Sequence, residues 1–201
     1  MTTLHAHITI KLGLQLLYEE SRRCPSLVIL FVAVILFSGY NSLVAMNESV
    51  NGKWSQVDNQ LQRRNDLIPN LVATVQGMAK QEKDVIQSVT DARAKLAGAQ
   101  SVAQKAEANN ELTGALSRLL VVVENYPTIK SDASFRQLAD ELAGTENRIA
   151  VARKDYNDSV QGYNSIIKSF PTFIYAGAFG FHEREYFKVE ESAKAVPKVT
   201  F

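Results

Sequence analysis

Leu27 to Phe37 reads LVILFVAVILF, and no other stretch restricts the fold of this chain so strongly. Pro25 and Ser26 precede the run and SGYNSLVAM follows it, so 25–46 carries no charge between Arg22-Arg23 and Glu48. A helix that crosses a bilayer needs about 20 predominantly apolar residues. Ser38, Asn41 and Ser42 fit near the end of such a span, because short polar side chains bond back to helix carbonyls or lie at headgroup level. A buried core helix and a cleaved signal peptide are the other two readings. Nothing else in the sequence is wide enough to bury so apolar a cylinder, and no A-x-A-like cleavage site follows it. The expectation is an uncleaved transmembrane helix over 25–46.

Residues 1–24 form an N-terminal extension in which Leu4, Ala6, Ile8, Ile10, Leu12, Leu14 and Leu16 recur with a two-residue period. No function attaches to them. The Arg22-Arg23 pair favours a cytoplasmic N-terminus and a bundle on the extracytoplasmic side, against the near balance of Lys11 before the span and Lys53, Arg63 and Arg64 after it. Cys24 is the one cysteine and precedes the run. It leaves no lipoprotein cysteine behind the run, no intramolecular disulfide and no thiolate metal cluster.

Beyond the span, positions 54, 57, 61, 64, 68, 71, 75, 78, 82, 85, 89, 92, 96 and 99 follow a three-four spacing, and only Arg64 and Glu82 interrupt its apolar character. This is the seam of a long coiled-coil-like helix, which Pro69 should kink near Asp66–Ile68. A second helix is expected over 101–125, buried through Val102, Ala106, Leu112, Leu116, Leu119 and Val123, and Tyr126-Pro127 closes it. A third starts at Ser131 or Asp132, carries Phe135, Leu138, Leu142, Thr145, Ile149, Ala152, Tyr156, Ser159, Tyr163, Ile166 and Phe170 in the same spacing, and stops at Pro171. Short joints make these helices antiparallel neighbours. The fold class is therefore all-α: a transmembrane helix, an up-and-down antiparallel bundle of three long helices over 47–170, and a short fourth element within 171–201 that caps the bundle.

Helix 47–99 would be about 80 Å long and the second about 37 Å, so the membrane-proximal half of the first looks under-covered. Trp54, Val57 and Leu61 lie on that overhang and are expected to form a partner surface for lateral homo-oligomers. Phe173, Phe179 and Phe181 in FPTFIYAGAFGFHEREYF (170–187) either pack back as the cap or make an interfacial or partner-docking patch. Arg64 and Glu82 are about 27 Å apart along one helix. Each needs a partner elsewhere, either in a register-fixing ion pair with residues such as Asp140, Glu141, Arg148 or Arg153, or as a ligand-binding pair of charges.

Catalytic chemistry has no foothold. The carboxylates are many, yet no His, Cys or Gly-rich loop joins them in a nucleophile, phosphate or metal spacing, and His182 reads as a loop residue. No cofactor or metal is expected. Lys+Arg 22 against Asp+Glu 21 leaves a formal charge of +1, which gives no field to gather nucleic acid.

GYNSLV (39–44), WSQVDNQLQRRNDLIPNLVATVQG (54–77), VTDARAKL (89–96), YP (126–127), FRQLADELAGTENRIAVARKDYNDSVQGYN (135–164), FPTFIYAGAFGFHEREYF (170–187), EE (190–191) and PKV (197–199) together resemble the LemA family. The resemblance runs from Gly39 to the end. It implies an up-and-down helical bundle behind an N-terminal anchor in bacterial envelopes, with a relative associated with magnetosome formation and no established enzymatic activity or catalytic residue to carry over. Some members resemble lipoproteins with a cysteine before Gly-Tyr-Asn, and the long N-terminal extension here is another departure.

The function expected from all this is a non-enzymatic scaffold or adaptor of the bacterial inner membrane, self-associating through its long helix or presenting its helices to envelope proteins. The alternative is a receptor-like module with a small ligand or peptide in the bundle core, which needs a cavity lined by polar seam residues such as Arg64, Thr145 and Ser159.

Overall fold

Proline removes one helix N–H and orphans the carbonyl four residues earlier. In the computed structural model of the chain, α1 (Thr2–Met78) nevertheless passes through Pro69 without a break. The orphan is the Asn65 carbonyl, and it is claimed from outside the helix, by Arg93 Nε at 3.1 Å. The structure describes residues 2–79 and 81–188, with side chains from residue 30 onward except residue 32. Among the described residues no helix is long and apolar enough to cross a membrane. The expected span, 25–46, begins before the first described side chain, and the side chains of 1–24 lie outside the described residues.

The helix breaks instead after Met78. Ala79 N still bonds Val75 O, Glu82 N turns back to Ala79 O, and α2 (Lys83–Gly98) begins. Arg93 meeting Asn65 shows that α2 folds back antiparallel onto α1. The expected single helix to Ala99 is thus a hairpin, and the buried face shifts phase at the turn, with Ile86 buried where Val85 was expected. Folding back covers the α1 seam with the chain's own residues, a gain of about 1.5–3 kcal/mol for each large aliphatic side chain taken from water. Extension into solvent would forgo it.

Ser101 opens α3 (Val102–Val123) with a complete capping box, accepting from Gln104 N while the Gln104 side chain reaches back. Glu124–Tyr126 leads into α4 (Pro127–Ser131), whose Pro127 sits where a missing N–H costs nothing. Asp132 caps α5 (Ala133–Lys168) through Phe135 N at 2.9 Å. α5 returns along α1: Glu146 meets Arg64, Asp155 meets Lys53, and Gly162 lies against Met46. The chain then makes the single turn α6 (Thr172–Tyr175) and a 3-10 turn over Gly177–Phe179, closed by Gly180 at φ 80°. Gly tolerates that left-handed conformation without a side-chain clash. Residues 181–188 run extended back up the bundle.

All described elements are helical, and the buried side chains form two clusters. The distal one joins α1, α2, α3 and α5 through Ile68, Leu71, Val75, Val89, Leu112, Leu119 and Leu142. In the proximal one α1 and α5 are covered by the tail: Leu43, Val50, Val57, Leu61, Ile149, Tyr156 and Tyr163 pack with Tyr175, Ala176 and Phe187.

Candidate functional site

Arg64 is buried at 3% exposure inside the seam. Its Nη1 donates to Asn109 Oδ1 at 2.7 Å and Thr113 Oγ1 at 3.0 Å, and the Glu146 carboxylate lies 2.5 Å away. Burial pulls the guanidinium below its ordinary range, and the Glu146 charge opposes that. An arginine titrates so far above neutrality that it stays charged regardless. The node is a register pin: one cation holds α1, α3 and α5 at one level. Its carboxylate comes from α5, as expected, but it is Glu146; Glu141 instead faces Arg63 at 4.0 Å.

Among the described residues Glu82 makes no seam ion pair, which corrects the expectation. It leaves the helix at the turn and accepts from the Tyr126 hydroxyl at 2.9 Å, tying the two distal turns together. That hydrogen bond is the main cause raising the Tyr126 phenol. The polar seam residues named for a ligand in the core are mostly taken up by the protein: Arg64 Nη1 is held by Asn109, Thr113 and Glu146 while its buried Nε has no partner, Thr145 is buried and bonds Glu141 O at 2.8 Å, and Ser159 is half-buried. One recess of about 240 Å³ lies between α1 and the α2–α3 joint, lined by Asp58, Leu61, Asn65, Asp66, Leu96 and Lys105. Lys105 pairs with Asp58 across it and leaves no free charge on that pair. Among the described residues no cluster of three or more His, Cys, Asp or Glu is placed to hold a metal.

The expected partner surface at Trp54, Val57 and Leu61 is also corrected. Val57 and Leu61 are inside the chain, and Trp54 is half-buried against Tyr156 and Phe187, ring centroids at 5.3 and 6.4 Å. What covers them is α5 and the tail. Asn164 brackets Arg184, donating to its carbonyl at 2.9 Å and accepting from its N–H at 2.8 Å; Asn157 treats Phe187 the same way at 3.1 and 2.9 Å. Seven helical residues and three extended ones both span about 10 Å, so two asparagines one heptad apart clamp a strand-like segment. Tyr156 adds a hydroxyl bond to Glu185 O, and Arg184 reaches across to Asn47 and Asn51 on α1.

At the proximal end Tyr175 lies directly over Gly39, where a Cβ would fall 2.0 Å from its hydroxyl oxygen. Only glycine permits that approach. Tyr40 meets Phe179 and Phe181 edge-on at 5.3 and 5.7 Å. Of the expected tail residues, Phe181 is therefore half-buried against Tyr40, while Phe173 and Phe179 stay exposed.

The profile of the LemA family matches residues 53–201. The chain belongs to the LemA family. Its curated relatives include two magnetosome proteins MamQ of Paramagnetospirillum magneticum, each 31% identical over 199 residues, covering 86% of this chain and 72% of the relative. MamQ of Magnetospirillum gryphiswaldense is 29% identical over 196 residues, covering 85% and 71%. In this LemA chain the motif residues sort by position in the fold. WSQVDNQLQRRNDLIPN holds Trp54, Arg64 and the Asn65–Pro69 pair, whereas GYN and FPTFIYAGAFGF meet at the proximal end. The tail clamp escaped sequence reading, although Asn157 and Asn164 stand one heptad apart on α5.

Proposed function

We propose that this LemA-family chain is a single-pass, non-enzymatic scaffold or adaptor of the bacterial inner membrane, with the apolar part of 25–46 as anchor, its last residues from Leu43 packed in the bundle, and the helical rod on the extracytoplasmic side. One observation carries the reading. Leu30, Phe31, Val34, Ile35, Leu36 and Phe37 are all exposed, on every side of α1, from 37% at Leu36 to 72% at Phe37. A helix apolar all round its circumference belongs in lipid or in a large core, and neither core cluster among the described residues includes these six side chains. The relatives' names tie them to a subcellular structure, the magnetosome, rather than to a reaction, which supports a structural role.

Self-association through Trp54, Val57 and Leu61 is not part of this reading, since α5 and the tail occupy that stripe. Envelope proteins, and other copies of the chain, would meet the exposed flanks of the rod, where α3 and α5 carry isolated apolar residues such as Val121 and Val151. The test is alkaline carbonate extraction of membranes holding the full-length chain, with crosslinking before solubilisation and purification of what is captured. Retention in the membrane with discrete crosslinked partners is expected. Recovery of the intact chain in the aqueous fraction without detergent sinks the reading.

A further inference from the structure

The proximal end of the bundle is apolar, and its level is fixed by the register of two helices. Gly162 lies against Met46 and Asp155 pairs with Lys53. Continuing that antiparallel pairing six residues from Gly162 puts Lys168, the last residue of α5, level with Tyr40 on α1. The unbroken apolar run of α1 ends at Phe37, about 5 Å along the axis. The bundle therefore stops just short of that apolar run, and the last part of 25–46 packs inside the bundle, with Leu43 buried and Met46 against Gly162.

The elements at that level present apolar side chains away from the bundle. In α6, Thr172 and Tyr175 are buried, while Phe173 and Ile174 are 58% and 64% exposed. Phe170 just before it is 78% exposed and Phe179 just after it 53%. From Ser169 to Phe181 no residue is charged, and the two ends of this stretch are pinned by the Lys168–Glu183 ion pair at 2.8 Å. Tyr40 of α1 and Tyr175 both pack edge-on against Phe179 at the rim of the patch. Exposed aromatics beside tyrosines, with charges held back at the rim, have the composition of a membrane interfacial belt. In water the same contiguous patch would be a liability.

We propose that the 169–181 turn is a second membrane contact, with Phe170, Phe173, Ile174 and Phe179 inserted at the headgroup–acyl boundary of the leaflet that faces the bundle. This rests on the anchor reading above. The turn is tied to α1 by Tyr175 over Gly39 and by Phe179 on Tyr40, so its insertion fixes both the height and the rotation of the rod on the bilayer.

The experiment uses the full-length chain in phosphatidylcholine–phosphatidylglycerol vesicles, carrying Phe173→Trp or Phe179→Trp in a Trp54→Phe background. Lipids brominated close to the carbonyl end of the acyl chain report depth, aqueous iodide reports solvent, and flotation reports anchoring. Expected is a blue-shifted indole at either position that bromolipid quenches and iodide does not, whereas native Trp54 in the parent chain responds to neither lipid bromine nor depth. An iodide-quenched, bromine-insensitive indole on a chain that floats overturns this inference and leaves the anchor standing. Protection from both quenchers, with crosslinks to another polypeptide, overturns it in favour of a protein partner or a second copy. A chain that fails to float removes the anchor and this contact together.

Discussion

Arg93 and Pro69 act as one unit across the α1–α2 hairpin. The carbonyl that Pro69 frees is the one Arg93 takes, so losing the guanidinium leaves a partly buried acceptor empty. Arg93→Met is expected to cost about 1–2 kcal/mol in thermal or denaturant unfolding of the detergent-solubilised chain. Pro69→Ala in the same chain restores an N–H to Asn65 O, and most of that loss should return. If the two changes simply add, the pairing is incidental. Arg64 behaves differently. Its removal strands Asn109, which is buried, and Glu146, whose side chain is 37% exposed and can turn to water. Arg64→Met should therefore cost about 3 kcal/mol, the lower end for a broken buried pair, and Glu146→Leu added to it should recover part of the loss.

Among the elements, the extended tail is held by side chains of α5 and α1 rather than by a helix of its own. Asn164→Leu would leave the Arg184 N–H and carbonyl unpaired, and a loss of about 1–3 kcal/mol is expected. Trypsin should then cut at Arg184 or Lys188 much faster while the helical signal in circular dichroism is kept; an unchanged cleavage rate would show that Asn164 does not hold the strap. Alkaline pH probes the same element. Burial raises the Tyr156 phenol above its ordinary value of 10.0, against the pull of Arg184. The protonated form is thus favoured by folding. Its contribution is complete below pH 10 and disappears as pH climbs through the raised value, because a phenolate cannot donate to Glu185 O. Tyr156→Phe should flatten that part of the alkaline stability profile.

How much of these elements the sequence discloses depends on which physical signal sets each one. The three-four spacing marks the buried faces of α1, α3 and α5 well, since burial and helical period are the same fact there. It does not distinguish a straight helix from a hairpin, because a stripe that folds back on itself at Met78 keeps nearly the same spacing. Asn157 and Asn164 look like polar surface residues until a strand is laid over them, and Glu146 is one of several acids on α5 until the register with Arg64 is known. The tail's aromatic content announces burial or docking. Which of its residues goes where depends on the Gly39 approach, a long-range contact with no local signature.

At the scale of the whole molecule, the strap is what keeps the proximal half self-contained. A chain ending after Phe181 loses Phe187 from the face of Trp54. Its Trp54 emission is expected to shift to the red, and crosslinked oligomers should appear that the parent chain lacks, while the distal four-helix cluster stays folded. Unchanged emission would show that α5 alone covers the stripe. The continuity of α1 has a mechanical corollary. On the proposed anchoring, the helix that meets the bilayer is also the longest strut of the rod, with no joint between them. Membrane helices incline by about 20° on average, and over the about 57 Å from Tyr40 to Met78 such a tilt carries the far tip roughly 20 Å sideways. Local bilayer thickness, which sets the tilt, would in this way be converted into the reach of the distal turns.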